Sequence, residues 1–161
     1  MEARMRIVVD DLSGPRIAEF LADHLEQMKA TSPPESKHAL DLDELRKPDV
    51  TFWSVRSGEA VVGCGAIKRL DGERGDHGDH GELKSMRTSP DRARGGIASG
   101  LLEHILAEAR RMGLSRLSLE TGSDEFFLPA RKLYEKFGFS YCAPFADYRP
   151  DPNSVFMTRT L

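Results

Sequence analysis

Apolar residues along the chain recur at two spacings, and the spacing changes from strand-like to helix-like several times. Short alternating or continuous apolar runs predict strands at Arg6–Val9, Thr51–Arg56, Ala60–Leu70, Glu82–Thr88, Arg116–Thr121, Phe139–Cys142 and Ser154–Leu161. Apolar stripes at helical spacing predict helices between Pro15 and Ser32, over His38–Leu45, over Gly96–Met112 and between Pro129 and Gly138. This order predicts a mixed α/β fold around one central sheet, as a single domain over residues 1–161.

The segment Gly96–Met112 has the clearest helical pattern in the chain. Its apolar face is formed by Ile97, Leu101, Leu102, Ile105, Leu106, Ala109 and Met112. Strand-like runs precede and follow this helix. A strand–helix–strand unit of this kind predicts a right-handed crossover between parallel neighbouring strands.

The segment Asp71–Gly81 has glycine at every third position and no apolar residue. It predicts a mobile connection between strands, because it has nothing to bury in a core. Its two Asp-His pairs, Asp76-His77 and Asp79-His80, are residue types that bind zinc or nickel. A loop without a rigid frame does not fix coordination geometry, so we expect no functional metal.

The charge balance and the cysteine content narrow the class of protein. Lysine and arginine number 23 against 26 aspartates and glutamates, a net charge of −3, which argues against a general nucleic-acid binder. The two cysteines, Cys64 and Cys142, are too few for a disulfide framework and indicate reduced thiols in the core. No run is long and apolar enough for a membrane span, and the opening residues lack the apolar core of a secretory signal. We therefore expect a cytoplasmic protein without a membrane partner.

The candidate chemistry lies at Ser89–Ser99, where a strand ends and the long helix begins. Gly95 and Gly96 allow close approach of a ligand to the backbone, and the first amides of a helix form an anion site. Between Lys84 and Arg94 the chain carries four basic residues and one acidic residue, a local charge of +3. These features favour a phosphate-bearing ligand. The alternative is a flexible helix start with solvated arginines. The segment lacks the Gly-Lys-Ser/Thr ending of a P-loop.

The run from Glu82 to Phe139 resembles the core of the GNAT superfamily of N-acetyltransferases. The family's Arg/Gln-x-x-Gly-x-Gly/Ala motif corresponds to Ala93–Ala98, with Ala93 at the position of Arg or Gln. A second family segment, Asn-x-x-Ala-x-x-Leu-Tyr-x-x-x-Gly-Phe, corresponds to Phe127–Phe139, with Phe127 at the Asn position. The resemblance implies a central mixed, mostly antiparallel sheet of six or seven strands flanked by about four helices.

The resemblance also implies acetyl-coenzyme A as cosubstrate, without a metal. Backbone amides of Met86, Arg87 and Thr88 would bind the pantetheine arm. The positions implied for the pyrophosphate and the rest of the carrier are Arg94, Gly95, Gly96, Ile97, Ala98, Ser99 and Phe127.

The family's general acid corresponds to Tyr134, and a phenol suits the role because its ordinary pKa is close to that of a thiol. From periodicity alone, Tyr134 is a core residue on its helix. For the general base the resemblance favours Glu82, with Glu120 as the rival. An amine that arrives neutral would need no base.

The variable segments Met28–Asp49 and Ala143–Ser154 are expected to recognise the acceptor. Tyr148 and Arg149 are the candidate substrate-binding residues, because an arginine suits a carboxylate. We expect a small-molecule or amino-acid amine. The alternatives are a protein N-terminus or lysine as acceptor, a non-catalytic acyl-coenzyme A sensor, and a partner-binding domain. The last strand, Val155–Thr160, is a candidate for pairing or swapping in a homodimer.

Overall fold

The computed structural model describes residues 5–31, 42–70, 79–89 and 96–161. The strands are β1 (Met5–Val9), β2 (Val50–Ser57), β3 (Ala60–Arg69), β4 (His80–Thr88), β5 (Arg116–Gly122), β6 (Ser140–Cys142) and β7 (Ser154–Thr160). The helices are α1 (Pro15–Thr31), α2 (Leu42–Leu45), α3 (Ile97–Arg111) and α4 (Leu128–Lys136), with a 3-10 turn at Glu125–Phe127. None of the helices within these ranges is long and apolar enough to span a membrane.

The described strands form one seven-stranded sheet in the order β1-β2-β3-β4-β5-β7-β6. The pair β4–β5 is parallel, which confirms the predicted parallel neighbours joined through α3. The other neighbouring pairs are antiparallel. The predicted mixed, mostly antiparallel sheet with four helices is therefore confirmed. Of the second predicted helix, the structure shows Leu42–Leu45, and residues 38–41 lie outside the described ranges.

A bulge interrupts β4 and lets it separate from β5. The β3–β4 register shifts between Cys64 and Ala66, and Ser85 lies in the left-handed region with φ 57°. The pairing of β4 with β5 runs from His80↔Arg116 to Leu83↔Leu119. Beyond these positions, the described parts of the two strands pair only with β3 and β7, respectively. The sheet therefore contains a gap between residues 84–88 and residues 120–122.

Each face of the sheet is covered by different helices. The larger core lies under α3 and α4 and includes Leu83, Leu101, Ile105, Leu119 and Tyr134. A smaller core on the other face lies under α1 and α2 and includes Cys64 and Ala66. Residues directly opposite each other on neighbouring strands share a face, so the register assigns polar residues to these two sides as well.

The prediction that Asp71–Gly81 is entirely loop is wrong at its end, because His80 and Gly81 belong to β4. The Leu70 amide donates to the His80 carbonyl at 2.9 Å, which closes the β3–β4 connection. A Cβ built on Gly81 would lie 2.7 Å from Leu114 Cδ1 and 3.2 Å from Ile67 Cγ2. This glycine is thus required by close packing within a strand, which a glycine-rich composition does not reveal.

Two glycines make a matched test of this packing. Gly81→Ala is expected to destabilise the fold by about 1–3 kcal/mol, because its methyl group would overlap the Leu114 side chain. Gly100→Ala in α3 is expected to raise the free energy of unfolding by about 0.5–1 kcal/mol, since a Cβ at this position would meet no neighbouring atom within 4 Å. Urea unfolding of both variants measures the difference, and equal stabilities would contradict the close approach at Gly81.

Candidate active site

The gap between β4 and β5 exposes a strand edge at the centre of the sheet. Met86, Arg87 and Thr88 lie on β4 beyond the bulge, where the β5-facing backbone edge is unpaired among the described residues. Cys64 pairs with Arg87 and Gly63 pairs with Thr88 on the other side. An extended ligand can therefore add to this edge through main-chain hydrogen bonds, as an extra strand would.

The described N-terminus of α3 begins directly beyond this edge. Gly96 precedes the helix with φ 78°, a conformation that favours glycine, and no side-chain cap bonds the first turn. The Gly100 amide donates to the Gly96 carbonyl at 3.0 Å, which leaves the amides of Ile97, Ala98 and Ser99 ahead of the first helical bond. This arrangement fits an anionic group. The predicted contacts Arg94 and Gly95 lie outside the described residues.

Glu82 lies beside the gap and is buried, with 3% of its surface exposed. The Tyr148 hydroxyl donates to Glu82 Oε2 at 2.5 Å, and Lys84 Nζ donates to the same oxygen at 2.9 Å. Lys84 Nζ also donates to the Tyr148 hydroxyl at 3.0 Å. Among the described residues, Glu82 Oε1 has no hydrogen bond. One oxygen of this carboxylate is thus held in place and the other is available to accept a proton.

The Tyr148 ring, which lies beside Glu82, packs against two other aromatic rings. The ring of Tyr148 lies 5.2 Å from that of Phe145 and 5.4 Å from that of Phe156, measured between centroids. Burial raises the pKa of the Tyr148 phenol, and the nearby Glu82 and Glu120 carboxylates raise it further. Tyr148 is therefore a neutral hydrogen-bond donor to Glu82 at physiological pH.

Tyr134 approaches from α4, on the other face of the sheet. Its side chain is 6% exposed, and its ring meets the Phe139 ring edge-on at 5.8 Å. Burial raises the pKa of its phenol, and the charge of Glu120 raises it further. The core position expected from periodicity and the chemical role implied by the resemblance are both compatible with this placement, since a buried phenol keeps its proton.

Glu120, the rival base, lies on β5 at the opposite side of the gap from Glu82. Its Oε2 accepts from the Ser154 hydroxyl at 2.6 Å. The charge of Glu120 acts on both Tyr134 and Tyr148, although the two tyrosines come from different elements. The gap therefore has a carboxylate on each side, with two protonated phenols nearby.

Phe127 closes one end of β5. A Cβ built on Gly122 would overlap the Phe127 ring, so the ring lies directly against the Gly122 backbone. Arg131 Nη1 donates to the Gly122 carbonyl at 2.6 Å and holds the same corner. At the position where the family motif has Asn, the structure thus has an aromatic ring packed on a strand end.

Other predicted residues lie at different distances from the gap. Arg149 is exposed on the segment after Tyr148. Trp53 is buried in the larger core, with its ring 6.0 Å from that of His104. His80 Nε2 lies 2.7 Å from Ser118 Oγ, whereas Asp76 and His77 lie outside the described residues.

Sequence reasoning missed the residues that complete the Glu82 cluster. From the sequence, Lys84 contributed only to the local charge of +3 between Lys84 and Arg94. No pattern identified Phe145 or Phe156 as part of the site. A signal for Lys84 was present, because residues two apart on a strand share a face and a buried carboxylate needs a partner. Phe145 and Phe156 come from an irregular segment and the last strand, so no local pattern connects them to Glu82.

Comparison with known proteins gives matches along nearly the whole chain. The model of the acetyltransferase (GNAT) family matches residues 17–139. The Bacillus subtilis (strain 168) protein named uncharacterized N-acetyltransferase YsnE is 55% identical over 157 residues, which are 98% of this chain and 100% of that protein. The Escherichia coli (strain K12) protein named uncharacterized N-acetyltransferase YedL is 52% identical over 96% of this chain and 94% of its own.

A solved structure shows the same architecture. The crystal structure of a Klebsiella pneumoniae protein, described as an acyl-CoA N-acyltransferase, superposes with a TM-score of 0.80 at 28% identity. The superposition covers 98% of this chain and 97% of that one. The similarity in fold thus extends over nearly the whole chain.

Proposed function

Because this chain belongs to the GNAT family of acetyltransferases and is an N-acetyltransferase, we propose that it acetylates a primary amine of a small molecule or an amino acid. Acetyl-coenzyme A is the proposed donor, and the amine attacks it directly in a ternary complex. When bound, the carrier supplies the acetyl group as a thioester. The chain's own residues bind it, orient it and move the protons.

The binding residues for the carrier follow from the shape of the gap. The open edge of β4 at Met86, Arg87 and Thr88 fits the amide-containing pantetheine arm. The amides of Ile97, Ala98 and Ser99, which precede the first helical hydrogen bond, and the backbone of Gly96 fit its pyrophosphate. Arg94, Gly95 and Phe127 complete the proposed carrier contacts.

Glu82 is the proposed general base. Its Oε2 is occupied by Tyr148 and Lys84, while its Oε1 has no hydrogen bond among the described residues. The carboxylate can therefore take a proton from the amine, directly or through one water, without losing the contacts that orient it. This half-occupied carboxylate is the observation that carries the proposal.

Tyr134 is the proposed general acid. Burial and the charge of Glu120 hold the pKa of its phenol above the ordinary value. The phenol therefore keeps its proton until a more basic group forms beside it. A thiolate that departs into the same buried surroundings is made more basic by them. It can therefore accept the proton of Tyr134.

Tyr148 and Arg149 are the proposed acceptor contacts. Tyr148 and Phe145 provide aromatic surface next to Glu82, and exposed Arg149 follows in the same segment. An acceptor amine placed at Glu82 would lie against these rings.

Thiol release from acetyl-coenzyme A over a panel of amines tests the proposal. The panel contains small amines, amino acids and lysine-containing and free-N-terminal peptides, and it is paired with calorimetric titration of acetyl-coenzyme A. We expect micromolar to millimolar KM values for small amines, within the ordinary range of enzymes. Turnover of peptides alone would indicate a protein acetyltransferase. Carrier binding without turnover of any amine would indicate a sensor and contradict the proposal.

A further inference from the structure

Arg87 lies on the same face of the sheet as Glu82. The register pairs Ala66 with Lys84 and Cys64 with Arg87, and both Ala66 and Cys64 belong to the core under α1 and α2. The next residue pair, Gly63 and Thr88, faces the other way, since a Cβ on Gly63 would lie 3.2 Å from Ile97 Cγ2 of α3. The Arg87 side chain therefore points away from the helix whose N-terminus faces the carrier phosphates.

Two carboxylates on this side of the sheet, Asp10 and Glu82, have cationic partners of their own. Asp10 Oδ2 accepts from Arg56 Nη2 at 2.6 Å and from Ser54 Oγ at 2.7 Å. Glu82 is paired with Lys84, as described above. Within the described ranges, no carboxylate forms an ion pair or hydrogen bond with Arg87. Arg87 therefore has no carboxylate partner among the described residues.

The Arg87 side chain is half-buried as well as unpaired among the described residues. Desolvation lowers the pKa of the guanidinium. The ionisable group beside it is the Cys64 thiol, which burial keeps protonated by raising its pKa. Desolvating a cation that has no anionic partner costs free energy. An anionic ligand that pairs with the cation in the complex offsets this desolvation penalty.

We propose that the Arg87 guanidinium binds a carboxylate of the acceptor, so that the substrate is an amine that also carries an acid group. This inference rests on the proposed function. Glu82 and Arg87 then form two oppositely charged contacts on one face of the sheet, Glu82 for the amine and Arg87 for the carboxylate. A guanidinium suits the acid end because its planar fork donates two parallel hydrogen bonds to a carboxylate.

Matched acids and amides as acceptors test this proposal. L-phenylalanine with L-phenylalaninamide, L-methionine with L-methioninamide, and glycine with glycinamide are compared by thiol release with wild type, Arg87→Met and Arg87→Lys. Wild type is expected to prefer the acids. In Arg87→Met, kcat/KM for the acids falls about 100-fold while that for the amides changes little. Arg87→Lys gives an intermediate loss, because a lysine keeps the charge but not the fork.

Carrier affinity and Tm distinguish carboxylate binding by Arg87 from a role in binding the carrier or in stability. Arg87→Met is expected to keep the wild-type affinity for acetyl-coenzyme A, since its backbone amide remains, and to have an equal or higher Tm. Arg110→Met, at the exposed end of α3, is the matched control and should behave as wild type. A loss of carrier affinity in Arg87→Met would overturn the proposal and place the guanidinium on the phosphates.

Other outcomes also decide between the two proposals. Equal use of acids and amides by wild type, or an equal loss for both in Arg87→Met, would overturn the role of Arg87 and leave the proposed function standing. Failure of wild type to acetylate any acid, amide or simple amine would overturn the proposed function, and this inference with it.

Discussion

Glu82→Gln is expected to lower kcat by about 10²–10⁴-fold, the usual range for loss of a general acid or base. Glutamine has nearly the same shape as glutamate, and its carbonyl oxygen can still accept from Tyr148. It cannot take a proton from the amine. Steady-state thiol release at saturating acetyl-coenzyme A measures the change, with an acceptor taken from the amine panel.

The buried partner of Glu82 requires a second variant. Glu82→Gln leaves the Lys84 ammonium, whose side chain is 9% exposed, without its counter-charge, which is destabilising. The double variant Glu82→Gln/Lys84→Met removes both charges and should recover Tm without recovering kcat. Glu103→Gln, at an exposed position of α3, is the matched control with wild-type activity. A large loss in Glu120→Gln and none in Glu82→Gln would assign the base to Glu120.

Tyr134→Phe is expected to lower kcat by about 10²-fold and to leave the affinity for acetyl-coenzyme A within about twofold, because general acids contribute about 10²–10⁴-fold. The substitution removes only the hydroxyl oxygen, so the ring still packs against Phe139. Tyr141→Phe is the matched control, since Tyr141 is 54% exposed on β6. Unchanged kcat in Tyr134→Phe would exclude the acid role.

The pH dependence of the reaction gives a separate test of Tyr134. Burial and the Glu120 charge raise the pKa of this phenol, so the protonated, active form persists to higher pH than for a free tyrosine. We expect kcat to show no decline between roughly pH 8 and about 10, the ordinary phenol pKa. Glu120→Gln removes one cause of the raised pKa and should move any alkaline decline to lower pH. A decline in wild type near pH 8 would contradict the acid role of Tyr134.

The order of elements was predictable because it depends on local patterns. The apolar stripe of α3 and the glycine after it defined that helix, and the strand-like runs around it predicted the parallel pair β4–β5. The start of β4 was not predictable. Composition predicts a loop at His80 and Gly81, whereas in the structure Gly81 pairs with Arg69 of β3 and with Leu117 of β5.

The candidate site was predictable only in part. Glu82 and Tyr134 were named from their positions in motifs, and the residues around each come from distant segments. Tyr148 reaches Glu82 across 66 residues of sequence, and Glu120 affects the pKa values of tyrosines from two different elements. Spacing along the chain does not encode such contacts, because they depend on how the strands are ordered.

Local periodicity and glycine placement in the sequence determined the strands, the helices and the opening of α3, since these follow from backbone preferences and from which residues avoid water. Tertiary structure decided which charges are compensated. Strand register and the bulge at Ser85 put Lys84 beside Glu82 and leave Arg87 without a carboxylate partner among the described residues. Electrostatic compensation depends on distances between side chains, and those distances exist only once the sheet has formed.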